Sequence, residues 1–135
     1  MEQRNVATGV QISRYAYTIL AMIFAACLLV QVFLSGMAIF WNATNWQLHI
    51  AFVNFFQYIP VILLILAFTG QIKGGLRWMP IGLIVLIIIQ YATVNMTNYI
   101  AAIHPVTGMG MFVLAINTAQ ASWGLSFQRN HEQVS

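Results

Sequence analysis

Four long apolar runs, 15–40, 48–69, 78–98 and 100–127, occupy almost all of this chain, and each reaches the length of about 20 residues that a helix needs to cross a bilayer core. Charged residues make up 5% of the sequence and apolar ones 61%, against roughly 25% charged in an ordinary soluble domain. The expected fold is an all-α membrane protein, an up-down-up-down four-helix transmembrane bundle over 15–127. Two short cytoplasmic tails, 1–14 and 128–135, flank it, so any chemistry has to sit within or between the helices. The first run is too long for a secretory core of about 7 to 15 residues and ends in Phe40-Trp41-Asn42 with no small-residue cleavage pattern, so it reads as a retained helix.

The five basic residues fix the expected orientation. Arg4 and Arg14 precede the first run, Lys73 and Arg77 lie between the second and third, and Arg129 follows the fourth, while 41–47 and 97–103 carry none. By the positive-inside rule both termini and the middle connection are cytoplasmic. The net charge of +3 is thus a topology signal, and with no basic cluster it gives no footing for nucleic acid. Trp41, Trp46, Trp78 and Trp123 fall near run ends, where interfacial aromatics collect. Short connections make consecutive helices antiparallel neighbours, with the second and fourth across the diagonal. Pro60 kinks the second helix; Gly70, Gly74 and Gly75 break the chain before Pro80 restarts it.

Within the apolar runs only His49 and His104 can take up a proton near neutral pH. Each lies shortly inside the start of its run, and the two runs point the same way. An ionisable side chain at membrane depth is costly and by default marks function. Gln31 precedes His49 and Gln90 precedes His104, an echo that reads as a parallel repeat about an axis along the membrane normal. Helical spacing places Gly108, Met111, Ala115, Thr118 and Ser122 on the His104 face, and Cys27, Gln31, Ser35 and Ala38 on one face of the first helix. Gln90, Thr93 and Thr97 share a face of the third, while the His49 face carries Phe52, Val53, Phe56 and Pro60. Stripes of small residues also serve simply to let membrane helices approach.

No carboxylate lies in the runs to pair with either imidazole; Glu2 and Glu132 are in the tails. That argues against a carboxylate-based pump and against a Ser/His/Asp hydrolase. The single cysteine, Cys27, allows no internal disulfide, and two strong donors fall short of a zinc site; His131 lies in the opposite tail. Neighbouring helix axes stand about 8–10 Å apart, so the diagonal of a square bundle is roughly 14 Å. That is too far for a direct imidazole pair and suits two rings gripping one metal centre, as axial histidines grip haem iron. Ser35, Ala38, Thr93 and Thr97 leave space beside such a group, Gly108 gives it room at the backbone, and Phe52 and Phe56 pack against it.

The segments Gln31-Val-Phe-Leu-Ser-Gly36, Trp46-x-x-His49 and His104-Pro-Val-Thr-Gly108, with the hydropathy pattern, resemble small four-helix membrane b-type cytochromes. They also look like an uncharacterised family of short bacterial four-helix membrane proteins. The resemblance implies a paired-histidine site with His49 and His104 as axial ligands of one haem b, in a multi-pass protein of the bacterial cell membrane. Larger two-haem relatives use four histidines, so one bis-histidine haem is the expectation here. With no basic residue on the outer side, Asn42, Thr44, Asn45, Asn98, Tyr99 and water would face the propionates.

A closed bis-histidine site favours electron transfer over oxygen chemistry, with a membrane quinol and a one-electron acceptor as partners. Gln31, Asn54, Gln57 and Gln90 are the polar groups of that half, and interhelical hydrogen bonding is the plainer role for each. The alternative is a non-catalytic accessory or assembly subunit of a larger membrane complex. A small-solute or lipid carrier is a third reading, for which four helices enclose little volume.

Overall fold

The computed structural model describes residues 2–128, with side chains from 8 to 127. The side chains of Glu2 and Arg4, and the whole of Arg129, His131 and Glu132, lie outside the described residues. Helix α1 (Glu2–Phe40) is followed by a 3-10 turn, Ala43–Asn45, then α2 (Trp46–Phe56) and α3 (Ile59–Thr69). After α4 (Gly75–Val94), a second 3-10 turn, Tyr99–Ala102, leads into α5 (Ile103–Trp123), which ends in a π-helical turn, Gly124–Gln128. Four helical stretches are long and apolar enough to cross a membrane: Thr8–Phe40, Ala43–Thr69, Gly75–Val94 and Tyr99–Phe127.

The expected boundaries move in three places. The first helix is already formed before residue 15, so Thr8–Arg14 is helix rather than tail. The third stretch starts at Gly75 and stops at Val94, which removes Thr97 from the face it was expected to share with Gln90 and Thr93; Thr97 is exposed in the connection to α5. The second stretch breaks at Gln57–Tyr58, where Gln57 closes α2 on the Val53 carbonyl. The ladder resumes with the Val61 and Ile62 amides donating to Tyr58, because Pro60 has no N–H to offer the turn before it.

Helix α1 packs against α2, α3 and α5, and α4 packs against α3 and α5, so the four stretches form a ring in which the second and fourth face each other diagonally. Tyr17, Phe24, Phe56, Leu63, Leu83 and Ala115 fill the middle. The small stripe of α5 points inward as its spacing predicts: Met111, Ala115, Thr118 and Ser122 are all buried. Large apolar side chains such as Phe33, Phe40, Phe55 and Met109 point outward, an exterior suited to hydrocarbon.

The end carrying Arg14, Gly70 and Arg77 is tied by polar bonds. The Arg14 Nε donates to the Gly70 carbonyl at 2.8 Å, at the end of α3, and Arg77 Nε donates to the Ile72 carbonyl. Thr18 is fully buried and joins Ser126 Oγ at 2.8 Å and the Ser122 carbonyl at 3.1 Å. Since α4 begins early, Pro80 falls inside it rather than in its first turn. A proline there deprives the carbonyl four residues back of its partner. That carbonyl belongs to Leu76, and the hydroxyl of the fully buried Tyr17 donates to it at 2.9 Å.

Tyr17→Phe leaves a buried carbonyl unpaired and should cost about 1–3 kcal/mol in a reversible SDS-unfolding measurement. In a Pro80→Ala background, where residue 80 regains its N–H, the same substitution should cost far less.

Candidate paired-histidine site

Both histidines sit at the end of the ring opposite Arg14, each behind a 3-10 turn, His49 as the fourth residue of α2 and His104 as the second of α5. An asparagine starts each turn. Asn42 Oδ1 accepts from the Thr44 amide at 2.9 Å, and Asn98 Oδ1 accepts from the Ile100 amide at 3.0 Å. These side-chain caps replace the backbone partners that the first turn of a helix lacks, and they aim the chain back into the bundle. Asn98 does so at φ +83° and ψ −164°, a positive-φ conformation that residues other than glycine seldom adopt.

Each histidine then engages the glutamine of the preceding stretch in a pair of reciprocal bonds. Gln31 Nε2 donates to the His49 carbonyl at 2.8 Å, and His49 Nδ1 meets the Gln31 carbonyl at 3.2 Å. In the second half Gln90 Nε2 donates to the His104 carbonyl at 2.9 Å, and His104 Nδ1 meets the Gln90 carbonyl at 3.2 Å. A carbonyl can only accept, so each neutral imidazole carries its proton on Nδ1 and keeps the Nε2 lone pair. Neither Nε2 has a hydrogen-bond partner among the described residues. Both rings are half-buried.

The sequence echo is therefore a structural one, running asparagine cap, 3-10 turn and histidine clamped by glutamine in both halves. The halves differ around the glutamines. A Cβ on Gly108 would come within 3.0 Å of Gln90 Nε2, so this glycine makes room for the clamping amide. At Gln31 the amide oxygen is buried without a partner.

The other expected site residues divide. Phe52 and Phe56 lie together below His49, ring centres 5.2 Å apart, and Phe56 meets Phe24 edge-on at 5.7 Å. Trp46 packs edge-on against the His49 ring at 5.4 Å. Ser35 is half-buried and turns its hydroxyl back to the Val32 carbonyl. Thr97 lies exposed in the connection after α4, off the helical face it was expected to share. Gln31 and Gln90 do form interhelical bonds, the plainer of the roles expected for them. The residues missed from sequence are Asn42 and Asn98 as caps and Tyr17 and Thr18 at the far end. Asparagine ahead of each histidine helix was the available signal for the first pair, and the carbonyl freed by Pro80 for Tyr17.

A metal centre is compatible with this donor set. Histidine ligands characteristically donate their other ring N–H to a carbonyl or carboxylate, which fixes the tautomer and orients the ring, and both histidines already do so. Among the described residues no three His, Cys, Asp or Glu side chains gather, so a metal held here needs most of its ligands from elsewhere, as a porphyrin provides.

These features define a helical protein with four stretches able to cross a membrane and two histidines held alike. The chain belongs to the family of unknown function DUF6220, whose match covers residues 31–98 and so takes in Gln31, His49 and Gln90. No curated protein and no solved structure matches it.

Gln90→Leu removes one interhelical bond and should cost about 0.6–1.7 kcal/mol, and Gly108→Ala should reproduce part of that loss by displacing the amide. Gln31→Leu should cost less, since it also removes the unpaired buried oxygen. SDS-unfolding equilibria of the three variants check the order.

Proposed function

We propose that this chain is a haem b-binding integral membrane protein that transfers electrons between a membrane quinol and a one-electron partner. One haem is held between His49 and His104, near the outer leaflet of a bacterial cell membrane. The observation that carries this reading is the matched pair of imidazoles, each pinned through Nδ1 with Nε2 left for a ligand. Bound there, haem supplies one-electron redox chemistry, and two axial histidines leave no open position for oxygen.

The roles of the chain's own residues follow from their bonds. His49 and His104 bind through Nε2, and the Gln31 and Gln90 carbonyls hold the rings in that tautomer. The glutamine amides keep each histidine helix from sliding along its neighbour. Phe52 and Phe56 exclude water from below. Asn42 and Asn98 spend Oδ1 on their caps, which leaves their amide N–H groups as donors toward propionates in place of absent basic residues.

The orientation in this reading is up-down-up-down with both termini cytoplasmic. What supports it is the grouping of Arg14, Lys73 and Arg77 at the end away from the histidines, together with the positive-inside rule. The accessory-subunit reading draws on the same clamps, because reciprocal bonds that satisfy a histidine main chain and Nδ1 also suit a purely structural fastening.

An optical spectrum of the detergent-purified protein, oxidised and then dithionite-reduced, separates the two. Haem binding predicts a Soret band and sharp reduced α and β bands, lost in both His49→Ala and His104→Ala. His104→Met should keep the pigment with a higher midpoint potential, as methionine-histidine ligation does. Colourless protein from haem-replete cells that takes up no added hemin would leave the accessory role standing.

A further inference from the structure

The repeat provides an internal comparison for the bundle's exterior. Beyond the clamp of the first half, α2 carries Asn54, Gln57 and Tyr58 follow in the break, and Tyr91 faces them from α4. Asn54, Tyr58 and Tyr91 are exposed and Gln57 is half-exposed. Asn54 Oδ1 accepts from the Tyr91 hydroxyl at 3.2 Å and from Gln57 Nε2 at 3.3 Å. The positions that correspond to these, counted from His104 and Gln31, are Met109, Phe112, Val113 and Val32. Those four are apolar, and Met109, Val113 and Val32 point outward. The fold thus accepts an apolar exterior at the corresponding place between α5 and α1, and the face between α2 and α4 carries a polar one instead.

A polar patch facing hydrocarbon is costly unless its groups are paired. Within the chain the pairing is partial. Asn54 Nδ2, Gln57 Oε1 and the Tyr58 hydroxyl have no hydrogen-bond partner among the described residues. Among the described residues the close backbone neighbours of α2 are α1 and the adjacent 3-10 turn, and the Tyr91 hydroxyl bonds it to α4.

The shape of the patch points to a protein occupant. Small-molecule sites are concave, whereas Tyr58 and the adjacent Phe55 stand 64% and 82% exposed. Two grooves on the exterior, one beside Phe52 and Phe55 and one beside Trp123, include none of the four polar residues. The unpaired groups comprise both donors and acceptors, so the patch is complementary to itself, as the isologous contact of a two-fold dimer requires. Because it occurs on one face only, such pairing closes at two copies. Amide and hydroxyl side chains are the groups that hold membrane helices together, and exposed aromatics flank them as at protein interfaces generally.

We propose that the Asn54, Gln57, Tyr58 and Tyr91 patch is the interface through which two copies of this chain pair in the membrane. The proposal does not depend on the haem reading.

The test uses the full chain in liposomes with Cys27→Ala as background. Phe55→Cys should oxidise to a covalent dimer with copper phenanthroline, and Met109→Cys, on the apolar counterpart face, should not. Energy transfer between labelled copies should report a dimer whose dissociation constant rises at least about tenfold in Asn54→Leu/Tyr91→Phe. The proposal is overturned by a monomer at every protein-to-lipid ratio, by cross-linking through residue 109 in place of 55, or by a dimer indifferent to the double substitution.

Discussion

Side-chain hydrogen bonds to helix carbonyls join this bundle at both ends, and the relative placement of its helices depends on them. At one end Pro80 frees the Leu76 carbonyl and Tyr17 takes it up. At the other, the carbonyls of His49 and His104 receive glutamine amides from the preceding stretch. Each of these bonds joins two helices and fixes their relative height. Apolar packing alone does that poorly in lipid, where the surroundings are as apolar as the side chains.

The two ends are held differently, and the difference bears on function. Around Thr18, Ser122, Ser126 and Arg14 the bonds are buried and interlocked. At the histidine end the close backbone neighbours of α2 among the described residues are α1 and the Ala43–Asn45 turn, and the break before Pro60 separates it from α3. One end is a fastened base. The other holds two imidazoles through single carbonyl contacts at Nδ1, with no hydrogen-bond partner at Nε2 among the described residues.

The hydropathy pattern alone made the four stretches, the diagonal placement of the second and fourth and the inward stripe of α5 legible, because length and helical period decide them in an apolar chain. The Gln–His echo was also visible, but its meaning was not. That each glutamine uses its side chain on the histidine carbonyl and its own carbonyl on the ring depends on the relative height of two helices, which sequence spacing leaves open. Gly108 shows the same limit: the sequence marks a missing side chain, and the structure shows the gap filled by the Gln90 amide. Thr97 left the face of Gln90 and Thr93 because α4 ends at Val94, a boundary that the polar run Asn95-Met-Thr-Asn98 encodes only weakly.

The central claim is that two equivalent imidazoles, both with Nε2 free, hold one haem from opposite sides. Electron paramagnetic resonance of the ferric protein in native membranes tests this most directly. The account predicts a low-spin signal from an iron with two nitrogen axial ligands. A high-spin signal, as from one histidine and an open position, or no haem signal at all, would contradict it.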